Sequence, residues 1–318
     1  MLGLITDIDR FSTHDGPGIR TTVFFQGCPM HCAWCHSPET QPASPVPIYR
    51  SMKCIGCRNC MYVCPHGAIT PKKYEEDGEK REGIRIDTTF CKKCFACVEV
   101  CPSGALTKSS REMSLREVKD IITQDIPFYR HSGGGVTLSG GEVLMQAEFA
   151  LEILSFCRLQ GVHTAVETTG CGSWDSLYEI CRKTDLIYYD IKLLDSELPR
   201  KFTGMSNDVI LRNLRRLSEN REAVGEIVVR IPCIPGINDH KEQIEQTARF
   251  VSELKLSFLE LLPYNEAAER IKWCRLFSTF SRRIIRSTSF IKSLATTRQI
   301  HSKSNAERIL PTENWPIR

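Results

Sequence analysis

The sequence predicts an α/β fold, a partial (β/α)6 barrel that is interrupted by a small α+β insert. Two observations carry this prediction. Strand signals rich in β-branched and aromatic residues alternate with helix-like stretches through most of the 318 residues, and one cysteine-rich segment breaks that rhythm. Alternation of this kind favours a parallel sheet with right-handed crossovers, and the 41% apolar content is ample for a buried core. Six strand–helix units are too few for a closed eight-stranded barrel.

The predicted elements follow one another along the chain. The first strand signal is RTTVFFQ at residues 20–26, which leads directly into Gly27 and Cys28. Five further strand signals come after the cysteine-rich segment, at residues 135–139, 163–168, 186–192, 226–232 and 258–264. The helix-like stretches are residues 114–125, 144–160, 173–183, 207–220 and 240–254. In such a fold, chemistry belongs at the carboxyl ends of the strands.

The cysteine-rich segment, residues 48–108, contains two four-cysteine runs that repeat at a spacing of 37 residues. Each run reads Cys-x2-Cys-x2-Cys-x3-Cys-Pro and ends in a similar tail, PHGAIT or PSGALT. This is the bacterial ferredoxin pattern, in which the fourth Cys of each run ligates the other run's cluster. We therefore predict a ferredoxin-like insert with two [4Fe–4S] clusters. The predicted ligands are Cys54, Cys57, Cys60, Cys64, Cys91, Cys94, Cys97 and Cys101.

The chain is thus expected to have three parts. Residues 1–47 and 109–268 would form the barrel, and residues 48–108 the insert, preceded by a proline-rich linker, PASPVPIYR, without helix or sheet. The last part, residues 269–318, is atypical. From residue 270 onward it has eleven Lys/Arg against two acidic residues and no glycine. We expect it to be partly disordered or the product of a frameshift.

Bulk features bound the location and the partners. The sequence has no run of about 18 uncharged apolar residues, and its start, MLGLITDIDR, lacks the basic-then-apolar form of a signal peptide. We expect a cytoplasmic monomer that binds neither membrane nor nucleic acid. Thiols stay reduced in the cytoplasm, so clustered cysteines indicate metal or redox chemistry before disulfides.

A third run, Cys28-x3-Cys32-x2-Cys35, has only three thiolates. A cubane iron–sulfur cluster has four irons, so a site with three thiolates leaves one iron free to bind a small molecule. The alternative is a zinc knuckle with His31 or His36 as the fourth ligand, although the position after a strand at the barrel mouth favours a cubane. The other cysteines, 157, 171, 181, 233 and 274, lack ligand spacing and are expected to be buried small hydrophobes.

The CX3CX2C run resembles the signature of the radical S-adenosylmethionine (SAM) superfamily, and Gly140-Gly141-Glu142 resembles its GGE motif. Three further segments resemble the glycyl radical enzyme activating enzymes: DGPGIR at 15–20, FFQGC at 24–28 and YDIK at 189–192. This resemblance runs from residue 3 to about residue 268. The ferredoxin-like insert resembles the subgroup with two auxiliary clusters.

The resemblance implies an oxygen-sensitive, anaerobic enzyme. Such enzymes reductively cleave SAM to methionine and a 5′-deoxyadenosyl radical, which removes a hydrogen atom from a backbone glycine of a partner glycyl radical enzyme. It also implies three [4Fe–4S] clusters, SAM as cofactor, and flavodoxin or ferredoxin as electron donor. Cys28, Cys32 and Cys35 would hold the SAM-binding cluster.

The resemblance further implies cofactor contacts. Lys192, counted with the three cysteines as catalytic, is suited as a cation to the methionine carboxylate. Asp190 and Lys192 are two apart on the predicted strand, so both should face the barrel lumen, with an ordinary buried ion pair as the alternative. Asp15 is expected near the incoming glycine loop or as a turn residue. The remaining predicted contacts are Gly140, Gly141, Glu142, Glu167, Arg230 and Asn265.

Two other functions stay open at the level of sequence. One is a radical SAM enzyme that acts on another peptide or a small molecule. The other is an iron–sulfur electron carrier in which the ferredoxin module rides on an inactive barrel. The auxiliary clusters would either relay electrons to the radical cluster or stiffen the docking surface. The sequence does not name the partner, although a C–S, C–N or C–O lyase is favoured.

Overall fold

The computed structural model describes residues 1–76, 79–194 and 198–264 of the chain. Its strands are β1 (Leu2–Ser12), β2 (Arg20–Phe25), β3 (Pro47–Tyr49), β4 (Ile69–Glu76), β5 (Glu79–Ile86), β6 (Leu106–Lys108), β7 (Arg111–Ser114), β8 (Gly135–Gly140), β9 (His163–Thr168), β10 (Leu186–Asp190), β11 (Glu226–Cys233) and β12 (Phe258–Pro263). Its α-helices are α1 (Asn59–Val63), α2 (Ala96–Glu99), α3 (Leu115–Ser132), α4 (Ala147–Leu159), α5 (Trp174–Arg182), α6 (Leu198–Thr203), α7 (Asp208–Glu219) and α8 (Lys241–Glu253). Short 3₁₀ helices lie at Pro38–Thr40, Ser51–Lys53 and Val143–Gln146. None of the helices in these ranges is long and apolar enough to cross a bilayer.

The centre of the fold is a run of six parallel strands in the order β2, β8, β9, β10, β11, β12. Pairing is in register from one strand to the next, with Arg20 opposite Gly135 and Gly135 opposite His163. All six strands coincide with predicted strand signals, and helices α3, α4, α5, α7 and α8 occupy the connections between them. The predicted partial barrel is confirmed, with six parallel strands and these five connecting helices in the part of the chain that the structure describes.

Two antiparallel strands extend the sheet beyond β2, and the sequence analysis missed both. Strand β1 pairs with β2, with Ile5 opposite Phe25, and β7 pairs with the other side of β1, with Leu2 opposite Ser114. β7 is four residues long and mostly polar, so its periodicity is too short to detect. These strands give the sheet a mixed edge on the side of the insert.

Helix α3 is longer than predicted. Its start is as expected: the Ser114 hydroxyl accepts a hydrogen bond from the Glu117 amide, and Glu117 bonds back to the Ser114 amide as a capping box. The predicted end at residue 125 is wrong, because the helix continues through Pro127 to Ser132. Proline in a helix interior is costly, but Tyr129, in the following turn, is 2% exposed and packs in the core.

Alternate residues of the parallel strands lie on the two opposite faces of the sheet. Val23 and Phe25 on β2 pack with Val118 and Ile122 of α3 in the larger apolar core. A second core lies under α5, α7 and α8. Since successive side chains on a strand point to opposite faces, the intervening residues of each strand line the inner face of the partial barrel. That inner face, which we call the lumen, contains the polar side chains described below.

The insert is joined to the barrel by a paired ribbon. The predicted linker without regular structure is wrong in part, because Pro47–Tyr49 forms β3 and pairs antiparallel with β6, with Pro47 opposite Lys108. Proline tolerates this position because an edge strand does not need every N–H. The Val46 carbonyl accepts from the Ser109 amide and prolongs the ribbon. The two chain segments therefore leave and re-enter the barrel side by side.

Candidate active site

The three-cysteine run lies in the loop directly after β2, where the sequence placed it. The Gly27 amide donates to the Thr40 carbonyl at 2.6 Å and the Cys28 amide to the Gln41 carbonyl at 3.0 Å. On the other side, the amides of His31 and Ala33 donate to carbonyls of residues 203 and 202 at 2.8 and 2.9 Å. The loop is thus held between the segment that follows it and helix α6, which the sequence analysis did not predict.

The thiols of this loop lie in an apolar setting. Burial raises the pKa of Cys28 to about 12 and that of Cys32 to about 11, and it raises the pKa of Cys35 as well. The Lys192 ammonium acts in the opposite direction on Cys32 and Cys35. Such thiols stay protonated until a metal cation displaces the proton, because metal binding requires the thiolate. The donor set of three soft sulfurs beside one cation fits an iron–sulfur cluster.

A single metal ion and a cubane cluster require different arrangements of these side chains. Within the described ranges, no three His, Cys, Asp or Glu side chains converge tightly enough to share one metal ion. A cubane does not require such convergence, because each thiolate binds its own iron.

The two glycines after β8 permit a close approach of backbone to backbone. Gly140 has φ +111°, and a Cβ there would lie 2.2 Å from the Phe25 nitrogen. A Cβ on Gly141 would lie 2.2 Å from the Gly27 carbonyl oxygen. Gly141 donates to the Phe25 carbonyl, and the next amide donates to the Gly27 carbonyl, both at 2.8 Å. Besides the expected approach to a cofactor, the glycines therefore let the end of β8 pair with the cysteine loop.

Glu142 is 1% exposed and its carboxylate is fully engaged. It accepts from the Thr168 hydroxyl at 2.6 Å, from the Thr169 hydroxyl at 2.6 Å and from the Thr169 amide at 2.9 Å. Burial raises its pKa, and these donors oppose the rise. The carboxylate thus ties the end of β9 to the end of β8. Its predicted contact with the cofactor stays a prediction.

Glu167 and Arg230 meet across the lumen. One Glu167 oxygen accepts from Arg230 at 2.7 Å, and the other accepts from the Ser139 hydroxyl at 2.5 Å. Arg230 also donates to Glu260 at 2.8 Å, and its guanidinium lies 3.3 Å above the centre of the Tyr188 ring. Burial raises the pKa of Glu167, against the lowering effect of Arg230.

Three members of this network were missed from the sequence: Ser139, Tyr188 and Glu260. They occupy the same alternate positions as Glu167 and Arg230 on neighbouring strands. Glu260 stands directly opposite Arg230 in the β11–β12 register. Strand period and register together would have identified all three, whereas a motif search does not.

Asp190 and Lys192 form a pair at the end of β10. The Lys192 ammonium donates to Asp190 at 2.6 Å. The predicted strand to residue 192 is too long, because β10 ends at Asp190, and Lys192 reaches the pair from the following loop. Burial alone would lower the pKa of Lys192, but the Asp190 carboxylate, which also accepts a hydrogen bond from the ammonium, outweighs burial and raises the pKa. Lys192 therefore brings a fixed positive charge to the cysteine loop.

Two further predicted residues have different outcomes. Asp15 lies in the turn before β2, where its carboxylate accepts from the hydroxyls of Ser12 and Thr22 at 2.7 and 2.6 Å. Asn265, Cys274 and the whole of residues 269–318 lie outside the described residues. Of the cysteines predicted to be small hydrophobes, 157, 171, 181 and 233 are all buried.

The eight cysteines of the insert line two separate recesses. The first recess contains Cys54, Cys57, Cys60 and Cys101. The second contains Cys91, Cys94, Cys97 and Cys64. Each recess thus combines three cysteines of one run with the fourth of the other. This is the arrangement that cross-ligated [4Fe–4S] clusters need.

The two halves of the insert share backbone conformations at equivalent positions, as they share the cysteine spacing. The residue after the second cysteine of each run, Arg58 or Phe95, is left-handed, with φ 63° and 62°. Gly67 and Gly104, each three residues after the fourth cysteine, have φ 57° and 63°. Such conformations are unfavourable for residues other than glycine. Their recurrence at equivalent positions shows that both halves fold the same way around their recess.

The cross-ligation can be tested by removing two cysteines at a time. We expect Cys57→Ala/Cys101→Ala to lose one auxiliary cluster and to keep about eight irons per chain, because both thiols belong to the first recess. The matched variant Cys57→Ala/Cys64→Ala takes one thiol from each recess. It should show the electron paramagnetic resonance (EPR) signals of three-iron clusters after oxidation. Identical iron contents and spectra for the two variants would contradict the assignment of the recesses.

Two protein-family models match the chain. The radical SAM superfamily matches residues 86–251, and a 4Fe-4S dicluster domain matches residues 53–105. The superfamily match begins at residue 86, so it does not include the three-cysteine run, and it overlaps the dicluster match at residues 86–105. Both matches agree with the site geometry described above.

Several curated proteins are similar to this chain over most of its length. A trans-4-hydroxy-L-proline dehydratase activating enzyme of Clostridioides difficile is 39% identical over 280 residues, 87% of this chain and 89% of that protein. An isethionate sulfite-lyase activating enzyme of Oleidesulfovibrio alaskensis is 42% identical over 83% of this chain and 84% of that protein. A (2S)-3-sulfopropanediol dehydratase activating enzyme of Klebsiella oxytoca is 40% identical, with 84% and 83% covered.

Proposed function

We propose that this chain, which belongs to the glycyl radical enzyme activating enzymes of the radical SAM superfamily, generates a radical on a backbone glycine of a partner enzyme. The observation that carries the proposal is the convergence of three elements at the carboxyl end of the parallel sheet. These are the three-cysteine loop, the Gly140–Glu142 turn that pairs with it, and the Lys192 ammonium beside its thiols.

When bound, the cluster and SAM would supply the radical chemistry, in which one-electron reduction of SAM gives methionine and a 5′-deoxyadenosyl group that would take a hydrogen atom from the glycine and leave as 5′-deoxyadenosine. The chain's own residues would bind the cluster and orient the cofactor. Cys28, Cys32 and Cys35 hold three irons, and Lys192 neutralises the carboxylate of the methionyl group. Because the cofactor is the reactive species, the protein needs no strong base. It holds the cofactor in position and excludes water from the site instead.

The lumen residues are assigned to the rest of the cofactor. Gly140 and Gly141 expose backbone to it, while Asp190, Glu167 and Arg230 present charged groups from three adjacent strands. SAM carries a sulfonium and an ammonium, so a lumen rich in carboxylates suits it electrostatically. We assign Glu142 to positioning, because its carboxylate is bonded to Thr168 and Thr169. Asn265 completes the proposed set of contacts.

The insert adds two auxiliary [4Fe–4S] clusters to the SAM-binding one, for three in all. We propose that residues 48–108 form this module and that residues 1–47 and 109–268 form the catalytic one. The auxiliary clusters relay electrons from a flavodoxin or ferredoxin to the cluster at Cys28, Cys32 and Cys35. The enzyme would act in the cytoplasm as a monomer under anaerobic conditions.

The proposed partner is a glycyl radical enzyme that breaks a C–O, C–S or C–N bond. Two of the relatives named above activate dehydratases and one activates a sulfite-lyase. Specificity for the partner belongs to a protein docking surface rather than to the cofactor site. The gene next to the one for this chain is therefore the first place to look for the partner.

Anaerobic reconstitution tests the function. We expect about twelve irons per chain from three four-iron clusters, release of 5′-deoxyadenosine on chemical reduction with SAM, and a glycine-centred EPR signal on a co-encoded glycyl radical enzyme. An electron carrier would release no 5′-deoxyadenosine. A radical SAM enzyme with another substrate would release it without producing the glycine signal, and either result would overturn the proposal.

A further inference from the structure

We propose that residues 52–58, here named the Cys57 rim, are the docking site for an acidic flavodoxin that delivers electrons to the insert. The inference rests on the proposed function, since each SAM cleavage consumes one electron. It adds a specific surface, a specific partner chemistry and a direction of electron flow through the two recesses.

The Cys57 rim exposes a cluster ligand together with apolar side chains. The Cys57 residue itself is exposed, and Met52 and Ile55 are 66% and 68% exposed. Ile55, Cys57 and Arg58 all line the first recess. Electron transfer requires the donor's redox group to come close to the cluster. An exposed apolar edge beside an exposed ligand therefore suits contact with the apolar edge of a flavin, as short-lived redox encounters need only a small interface.

Basic side chains outnumber acidic ones around the rim. Residues 40–74 contain five Lys or Arg and no Asp or Glu, and Arg50, Lys53 and Arg58 are exposed. Glu82, from the neighbouring hairpin, pairs with Arg58 at 2.9 Å. A basic surface of this kind attracts an acidic partner and speeds the encounter. Positive charge around an apolar centre complements a flavodoxin with acidic residues around its flavin.

The second recess is connected to the three-cysteine loop by a short stretch of chain. Pro47 lines this recess, and Lys93, from the same run, donates to Ser44 at 2.9 Å. The chain between these contacts and the barrel is bonded to the radical site: the Gln26 side-chain amide donates to the Pro42 carbonyl, and the Cys28 backbone amide donates to the Gln41 carbonyl. Seven residues, 41–47, thus connect the loop to the second recess, and the same stretch of chain reaches the first recess two residues later, at Tyr49.

The two recesses adjoin each other within the insert. Cys60 of the first and Cys97 of the second are buried in one apolar cluster. An electron that leaves the flavin hydroquinone would therefore pass to the first recess, then to the second, and then to the site at Cys28. The flavin is oxidised by one electron and the receiving cluster is reduced by one. No covalent bond of the chain is broken or formed.

Stopped-flow measurements on the reconstituted full chain test the docking site without SAM. The probe is flavodoxin reduced to its hydroquinone, and the readout is its reoxidation rate against flavodoxin concentration and salt. We expect Lys53→Glu and Arg58→Glu each to lower the second-order rate constant about tenfold at low salt. The difference from the unmodified protein should shrink at high salt because screening removes the steering.

Two matched variants define the outcome. Arg116→Glu makes the same charge change at a residue 91% exposed on the barrel helix α3, and it should leave the rate unchanged. Lys92→Glu makes the same charge change beside the second recess. This variant should lower the rate constant less than the rim variants do. A rate that falls with Lys92→Glu but not with Lys53→Glu or Arg58→Glu would overturn the proposal, as would equal loss with Arg116→Glu.

The iron content and EPR spectra of each variant show whether its clusters are intact, and a variant that loses iron is replaced by Lys53→Gln or Arg58→Gln. Release of 5′-deoxyadenosine with a chemical reductant should be normal in the rim variants. Failure of that release in the unmodified protein would reject the proposed function. A rate unaffected at the rim, with normal release, would reject the docking site alone.

Discussion

Replacing Cys32 with alanine is expected to abolish release of 5′-deoxyadenosine and to lower the iron content from about twelve to about eight atoms per chain. Cys28, Cys32 and Cys35 are the thiols of one loop, and two thiolates cannot hold a cubane against loss to solvent. The loop is fastened to the barrel by backbone hydrogen bonds on both sides, so the fold should survive. Iron analysis, product chromatography and EPR of the reduced protein measure the three expectations.

A control for this variant is Cys157→Ala. Cys157 is fully buried among the residues that pack α4 on the sheet and lies in none of the cysteine runs. Its replacement should keep all the iron and the product. If Cys32→Ala retained twelve irons, the three-cysteine loop would not be a cluster site. If it lost all the iron, the radical site and the insert would depend on each other for stability.

Replacing Arg230 with methionine is expected to destabilise the folded chain by about 2 kcal/mol, between the cost of breaking an exposed ion pair and that of breaking a fully buried one. Arg230 is 8% exposed and joins the carboxylates of Glu167 and Glu260. Without it, Glu167 would be a partly buried carboxylate, 24% exposed, whose remaining bond is to the Ser139 hydroxyl. Removal of one partner from a buried ion pair leaves an uncompensated charge, which costs more than the pair itself contributed. The urea midpoint, followed by circular dichroism under anaerobic conditions, measures the loss.

Two comparisons show whether the buried charge is the cause. Arg182→Met breaks an ion pair of similar geometry with Glu179, but both side chains are about half exposed, so its cost should be about 0–1 kcal/mol. The double variant Arg230→Met/Glu167→Gln removes the stranded charge and should regain part of the stability. A loss for Arg230→Met as small as that for Arg182→Met would mean that Glu167 is solvated without the arginine.

The parallel strands and the cysteine sites were predictable because each rests on a short-range signal. A β-branched run of five to eight residues predicts a strand by itself, and the spacing of cysteines predicts a cluster by itself. The cross-over of the fourth cysteines between recesses follows from the same pattern. What these signals share is that the residues involved are close together in the sequence.

The lumen network was not predictable in full, because its members come from different strands. Glu260 matters only since it lies opposite Arg230, and Ser139 only since it reaches Glu167. Strand register decides both contacts, and a single sequence does not fix register between distant segments. Strand β3 was missed for a related reason: its first residue, Pro47, argues locally against a strand, and pairing with β6, far along the chain, overrides that preference.

The internal repeat of the insert is broken at one informative position. Gly56 and Lys93 are equivalent in the two runs, and both have left-handed backbone, with φ 72° and 56°. Nothing lies within 4 Å of the place where a side chain on Gly56 would begin, whereas Lys93 extends to Ser44. A non-glycine residue in this conformation costs about 1 kcal/mol. The two halves of a duplicated module are equivalent by sequence. The bond from Lys93 to Ser44 makes them different, because it attaches only the second half to the segment that leads to the barrel.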